Sequence, residues 1–161
     1  MTMQSPQDLF LYNLGSMYDV EQKLAQVLPV LANECQNPQV KDAFLQHEQQ
    51  TRQHVRNIEQ CFQILGRQPQ SMDNQAVTGL KQDHDTFVQQ RPQQDVLTMF
   101  DLNAGYQSEF LEVANYNALI EAANNMGMQQ CIPLLQQNLQ QDQEAAKKLG
   151  ILIHQLGQKK A

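Results

Sequence analysis

Apolar residues recur along the opening stretch at Phe10, Leu14, Met17, Leu24, Leu28 and Leu31 in alternating steps of four and three, and Glu21 fills the missing step. Such alternation marks the buried stripe of an amphipathic helix, so the pattern predicts a long helix that aims a carboxylate into its own seam. The anomaly recurs in three further stretches. The seam through Val40, Phe44, Ile58, Cys61 and Leu65 carries His47 and His54; that through Leu102, Tyr106, Val113, Tyr116 and Ile120 carries Glu109; that through Cys131, Leu135, Leu149, Leu152 and Leu156 carries Asp142.

Punctuation residues set the expected bounds. Ser5-Pro6-Gln7-Asp8 supplies an N-cap, a first-turn proline and a first-turn acid, and Asn37-Pro38 repeats the signal. The predicted helices are 6–33, 38–65 (stopped by Gly66 and Pro69), 75–90, 93–126 (stopped by Gly127) and 129–156, with Gly157–Ala161 as a frayed tail. The first two, joined by a short connection, must lie antiparallel, each about 40 Å long. The third is short and weakly amphipathic, with Val77, Leu80, His84, Phe87 and Val88 on its apolar side. Two long helical pairs separated by a long connection predict an all-α, ferritin-like four-helix bundle, with a crossover that carries a short fifth helix. Tyr18-x-x-Glu21 in the first pair is echoed by Tyr106-x-x-Glu109 in the second, a faint internal duplication.

The chain's 161 residues suit one domain, 1–161, with a full core. Charged residues make up 17% of the chain, below the typical figure of about 25%, because glutamine occupies much of the polar surface. A net charge of -6 leaves no basic stripe for phosphates, which argues against a nucleic-acid partner. Met1–Gln7 has neither a basic residue nor an apolar core, and no stretch reaches the roughly 18 apolar residues of a membrane span; a soluble, cytoplasmic protein with no membrane partner is expected. Three cysteines without CxxC spacing indicate free thiols rather than a disulfide framework or a structural zinc site.

Hard divalent ions such as iron and manganese take carboxylate oxygen and imidazole nitrogen, and two ions about 3.5–4 Å apart need bridging carboxylates and a terminal ligand on each side. Glu21 and Glu109 occupy equivalent positions in the two halves; Glu112 lies one turn beyond Glu109, and Asp142 comes from the last helix. His47 and His54 are about 10 Å apart along one face, too far to share one ion, and His54 is the expected ligand. Each residue alone has a plainer explanation: a seam Glu that snorkels or meets a base, a hydrogen-bonded core His, an Asp at the rim, a solvated Glu. Together, with few Lys or Arg on the same seams to neutralise them, the acids call for a cation. Tyr18, Tyr106 and Tyr116 are otherwise core; a tyrosine within reach, with Tyr18 and Tyr106 foremost, is expected as an outer hydrogen-bonding partner.

Five segments, LGSMYDVEQKL (14–24), AFLQHEQQTRQHVRNIEQCFQILG (43–66), AVTGL (76–80), EFLEVANY (109–116) and LLQQNLQQDQEAAKKL (134–149), resemble in order and spacing the YciE/YciF group of bacterial ferritin-like proteins over essentially the whole chain. The resemblance implies a rubrerythrin-like four-helix bundle with a fifth helix, a buried dimetal site, a homodimer and a stress-linked role. Where such proteins usually show Glu-Glu-Thr on the second helix, this chain has Gln49-Gln50-Thr51; where they show an acidic run on the fourth, it has Gln140-Gln141-Asp142. An amide bridges two cations poorly, so a mononuclear or asymmetric site becomes an alternative to a dinuclear one. The expected ligands to iron or manganese are Glu21, His54, Glu109, Glu112 and Asp142, with His47 and Gln50 peripheral and peroxide, dioxygen or ferrous iron as reactant. The rival expectations are a metal-free helical interaction module and a bundle that holds an apolar ligand in its core.

Overall fold

Side chains of small polar residues start three of the helices. Ser5 accepts a hydrogen bond from the Asp8 amide, Asn37 from the amides of Gln39 and Val40, and Asn74 from that of Val77, each satisfying amide donors that a helix start leaves open. The computed structural model describes residues 3–158 and folds them into α1 (Pro6–Glu34), α2 (Pro38–Ile64), α3 (Gln75–Val88), α4 (Gln94–Asn125) and α5 (Ile132–Gln158). The last helix starts at Ile132 rather than 129, because Gly127 takes a left-handed conformation (φ 71°) and a turn runs on to Cys131. It also ends later than expected: Gly157 and Gln158 are helical, and the rest of the expected tail lies outside the described residues.

The chain is an all-α, ferritin-like bundle. α1 packs most extensively on α2 and α4 on α5, and the two hairpins meet through α1 with α4 and α2 with α5. Glu34 near the end of α1 lies beside Asp101 near the start of α4 through His84, and Cys61 near the end of α2 meets Cys131 ahead of α5; both cross-hairpin pairs are therefore antiparallel. α2 and α4 then run in the same direction, which is why the connection must travel the length of the bundle, and α3 rides on the outside against α4 and α1. The apolar stripes of the four long helices bury Phe10, Leu14, Met17, Phe44, Ile58, Leu102, Tyr116, Leu119 and Leu135 at under 2% exposure or at 2%.

The polar stretch ahead of α3 is strapped to α1. The Asp19 carboxylate accepts hydrogen bonds from Ser71 Oγ (3.1 Å) and the Asn74 amide (2.8 Å), and Lys23 joins Asp19 (2.6 Å) to Asp73 (2.7 Å). Burial works against ionised Asp19, but these donors outweigh it and hold its carboxyl below the usual range. The Met72 amide donates to the Gly15 carbonyl at 3.0 Å. Such proximity needs glycine: a Cβ at position 15 would stand 2.6 Å from the Gln70 carbonyl oxygen and 2.8 Å from Met72 Cγ. Gly15→Ala is therefore expected to destabilise the protein by about 1–3 kcal/mol, although alanine is the better helix former by about 1 kcal/mol. A chemical denaturation curve whose midpoint falls with unchanged slope would show this; a rise would mean that the strap shifts freely.

Candidate metal centre

Four helices deliver six ionisable side chains to one layer midway along the bundle: Glu21 from α1, His47 and His54 from α2, Glu109 and Glu112 from α4, and Asp142 from α5. All are buried; His47, at 5%, is the most exposed. The sequence spacing accounts for the convergence, since 47 and 54, and 109 and 112, sit on one face of their helices while 21 and 142 occupy seam steps otherwise filled by apolar residues.

Two sets of donors form. One atom each from His47, Glu109, Glu112 and Asp142 lie within 4.8 Å of one another, and so do one atom each from Glu21, His54 and Asp142. Asp142 belongs to both, which is where a bridging carboxylate would stand. The imidazoles fall into separate sets, their ring centroids 6.4 Å apart. His47 thus stands among the donors, where the sequence placed it at the periphery. Its Nε2 is 2.8 Å from Glu109 Oε1 but makes no hydrogen bond of acceptable geometry. His54 Nδ1 lies 3.2 Å from Glu21 Oε1 and 3.5 Å from Asp142 Oδ1.

The electrostatics show what the layer lacks. Glu21 Oε2, Glu109 Oε2 and both oxygens of Glu112 and of Asp142 are buried without a hydrogen-bond partner. Burial, reinforced by Asp142, Glu21 and Glu109, drives the Glu112 carboxyl well above its ordinary range, and burial together with Glu21 and Glu109 does the same to Asp142. Burial alone would make His47 less basic; the charge of Glu109, then that of Glu21, raises its pKa instead. Ionised carboxylates stripped of water at this density are costly unless a cation stands among them. Carboxylate oxygens and imidazole nitrogens with unused lone pairs fit iron or manganese, both of which accept such donors.

Gln49, Gln50, Gln140 and Gln141 have divided roles. Gln141 Oε1 sits 2.8 Å from His54 Nε2. A hydrogen on Nε2 donated to that oxygen would leave the Nδ1 lone pair toward Glu21 and Asp142, the orientation that a ligand to an ion there needs. Gln50 is half-buried at the His47 side, while Gln49 and Gln140 face solvent.

Of the three tyrosines considered, Tyr18 and Tyr106 lie away from the layer. Tyr18 donates to Glu59 Oε1 (2.7 Å), and Tyr106 packs on Phe110 and the open face of Gly150. Each lies three residues before its carboxylate and faces the partner helix of its own hairpin, so the tyrosine echo marks the duplication rather than the centre. The tyrosine at the layer is Tyr116, seven residues after Glu109. Its hydroxyl donates to Glu21 Oε1 and accepts from Asn138 Nδ2 (2.9 Å), whose Oδ1 accepts from Asn57 Nδ2 (2.7 Å). Asn57, Asn138, Tyr116 and Glu21 thus link all four long helices. Asn57 and Asn138, with Thr51 and its unpaired buried hydroxyl, are participants that the sequence reading missed. The available signal was their placement: Thr51 lies midway between the histidines, and Asn138 one turn before Asp142.

The fold and the donor set together define a ferritin-like bundle with a buried carboxylate and histidine centre. Residues 5–161 match a family described as a domain of unknown function, DUF892, and the chain belongs to it, within the YciE/YciF group. It is 25% identical to Protein YciF of Escherichia coli (strain K12) over 162 residues, covering 100% of this chain and 98% of that protein. Among solved structures, YcfI of Rhodopseudomonas palustris is 26% identical with a TM-score of 0.89, over 92% of this chain and 94% of that one. The E. coli stress protein YciF superposes with a TM-score of 0.92 at 24% identity, over 98% of this chain and 100% of that one. A Xanthomonas campestris protein reaches 0.72 at 20% identity over 98% and 100%; the last two likenesses speak for the fold alone. No helix among the described residues is long and apolar enough to cross a membrane.

A pH dependence follows for protein stripped of metal. The folded-state pKa values of Glu112 and Asp142 lie above their unfolded ones, so their penalty is absent below the ordinary carboxylate range of about 4 and grows as pH rises through the folded values. His47 acts with the same sign, its raised folded pKa contributing stability that is lost as pH rises. The melting temperature of stripped protein is expected to fall between about pH 5 and about pH 8, and Glu112→Gln to raise it by a few degrees at the upper pH, about 1–2 kcal/mol. A melting temperature that climbs over this interval in stripped protein would contradict the charge balance described.

Proposed function

We propose that the protein is a cytoplasmic, homodimeric ferritin-like metal protein whose bundle centre holds two ions of iron or manganese and serves stress-linked redox chemistry on peroxide, dioxygen or ferrous iron. The observation that carries this reading is the unpaired, buried carboxylate oxygens of Glu112 and Asp142 between two imidazoles in separate donor sets. Glu21 and His54 would hold one ion, His47, Glu109 and Glu112 the other, and Asp142 would bridge. Bound iron or manganese would supply Lewis acidity and one-electron redox capacity.

The protein's own contribution is positioning and access. Gln141 presents Nδ1 of His54 inward, and the Asn57, Asn138 and Tyr116 chain holds Glu21. Apolar neighbours such as Phe44, Met17 and Leu102 exclude bulk water, which strengthens the hold of fixed carboxylates on any cation. A cleft of about 240 Å³ between α2, α4 and α5 reaches His47, Gln50 and Glu109 from the surface, with Gln46 and Lys148 among its lining residues. It suits a small oxidant rather than a macromolecular substrate.

The test is elemental analysis of protein purified from cells supplied with iron and manganese. About two ions per chain are expected in the parent, close to one in His54→Ala and none in Asp142→Ala, the shared ligand. One ion in the parent would give the mononuclear alternative. None in a folded parent would retire the redox reading in favour of a metal-free interaction module.

A further inference from the structure

A second constellation lies at the end of the bundle where α1 stops and α4 starts. Glu34, His84 and Asp101 each offer one donor atom within 4.8 Å of the others. Glu34 is thirteen residues beyond Glu21 along α1, about 20 Å, and Asp101 eight residues before Glu109 along α4, about 12 Å, so the group is separate from the bundle centre. We propose that Glu34, His84 and Asp101 form a second cation site that takes one zinc ion and ties the crossover helix α3 to both α1 and α4.

His84 Nε2 is 2.9 Å from Glu34 Oε2 and 3.5 Å from Asp101 Oδ1. Zinc bonds of about 2.0–2.2 Å in tetrahedral array put neighbouring donors about 3.3 Å apart, and the two measured separations bracket that value. The independent sign of a missing ligand is Asp101, which is fully buried with its Oδ1 lacking any hydrogen-bond partner. A proton on Nε2 explains the contact with Glu34 but leaves that oxygen unanswered.

The donors select the ion. The mutually close donors are one imidazole and two carboxylates; the Cys35 thiol stands outside that group and donates to Asp101 Oδ2 at 3.9 Å. Zinc accepts imidazole nitrogen beside carboxylate oxygen in a compact set of this size, whereas calcium and magnesium prefer oxygen alone. The far ring nitrogen of His84, Nδ1, faces Asp85 Oδ1 at 3.4 Å, the outer carboxylate that commonly orients a metal-bound imidazole. The junction is also preformed: Phe87 of α3 stacks on Phe100 of α4 with ring centroids 4.0 Å apart, and Gln94 of α4 donates to the Glu34 carbonyl.

Zinc titration by calorimetry, on full-length protein whose bundle centre is disabled by Asp142→Ala, is the deciding experiment. One zinc per chain is expected, abolished by further introduction of His84→Gln or Asp101→Asn, and weakened about 10- to 100-fold by Asp85→Asn. Hydrogen exchange in α3 should slow when zinc is added and be indifferent to it in Asp101→Asn. If Asp142→Ala does not fold, the comparison is made in the parent, where His84→Gln should lower total zinc capacity by one per chain with helical content unchanged. Zinc capacity that is the same with and without His84 and Asp101, or absent in the Asp142→Ala protein, would overturn the proposal.

Discussion

Four carboxylates share a volume from which water is excluded, and the bundle is arranged around that constraint. Glu21, Glu109, Glu112 and Asp142 come one or two to a helix and meet where Leu, Phe and Met would give a cheaper core. Local interactions partly offset the repulsion: the His47 imidazole lies against Glu109, and Tyr116 donates to Glu21. Glu112 is left without any such compensation. Its helix nevertheless stays regular, because α4 is anchored by large apolar contacts on either side of the layer, at Leu102 and at Tyr116, Leu119 and Ile120.

The same layer shows why the two hairpins are equivalent in plan and unequal in detail. Tyr18 and Tyr106 hold matching places, one facing α2 through Glu59 and the other lying on Gly150 of α5. Beyond that the halves diverge: α2 contributes two imidazoles, while α5 contributes Asp142 and two carboxamides, Asn138 and Gln141. The basic side is thus concentrated on one helix and the hydrogen-bonding support on its antiparallel neighbour. Gly105 lets Phe44 and Leu149 close over the His47 end, with the ring and the methyl 3.1 and 3.3 Å from where a Cβ would be.

Much of this was legible in the chain. A period set by one buried stripe does not depend on partners, so the helices, and the acids and imidazoles at their seam steps, could be read from residues 10–31 and their later equivalents. The distance along α2 kept both histidines from one ion, but could not show that a second carboxylate set awaited His47 across the bundle. That depends on the relative height of α2 and α4, which loops determine. The tyrosines misled for a similar reason: a residue three before a seam position can face either neighbour, and only the packing of the hairpin decides. Asn57 and Asn138 were overlooked because amides read as surface in a glutamine-rich chain, whereas here they are buried in a chain of hydrogen bonds. Helix ends were off by one to three residues where no capping side chain marks the boundary, as at Glu34, Val88 and Gln94 and beside Gly66 and Gly127.

The carboxamide of Gln141 has a consequence for electronics as well as geometry. A carboxylate pulls strongly on the hydrogen of an imidazole and gives the ring some imidazolate character, making the opposite nitrogen a stronger donor. An uncharged amide oxygen pulls less, so the lone pair on Nδ1 of His54 is poorer than it would be beside a glutamate. An ion on that side would be held less firmly than one beside a glutamate at the same position. A single uncharged side chain at the edge of the layer would thereby set how much electron density one imidazole has to offer.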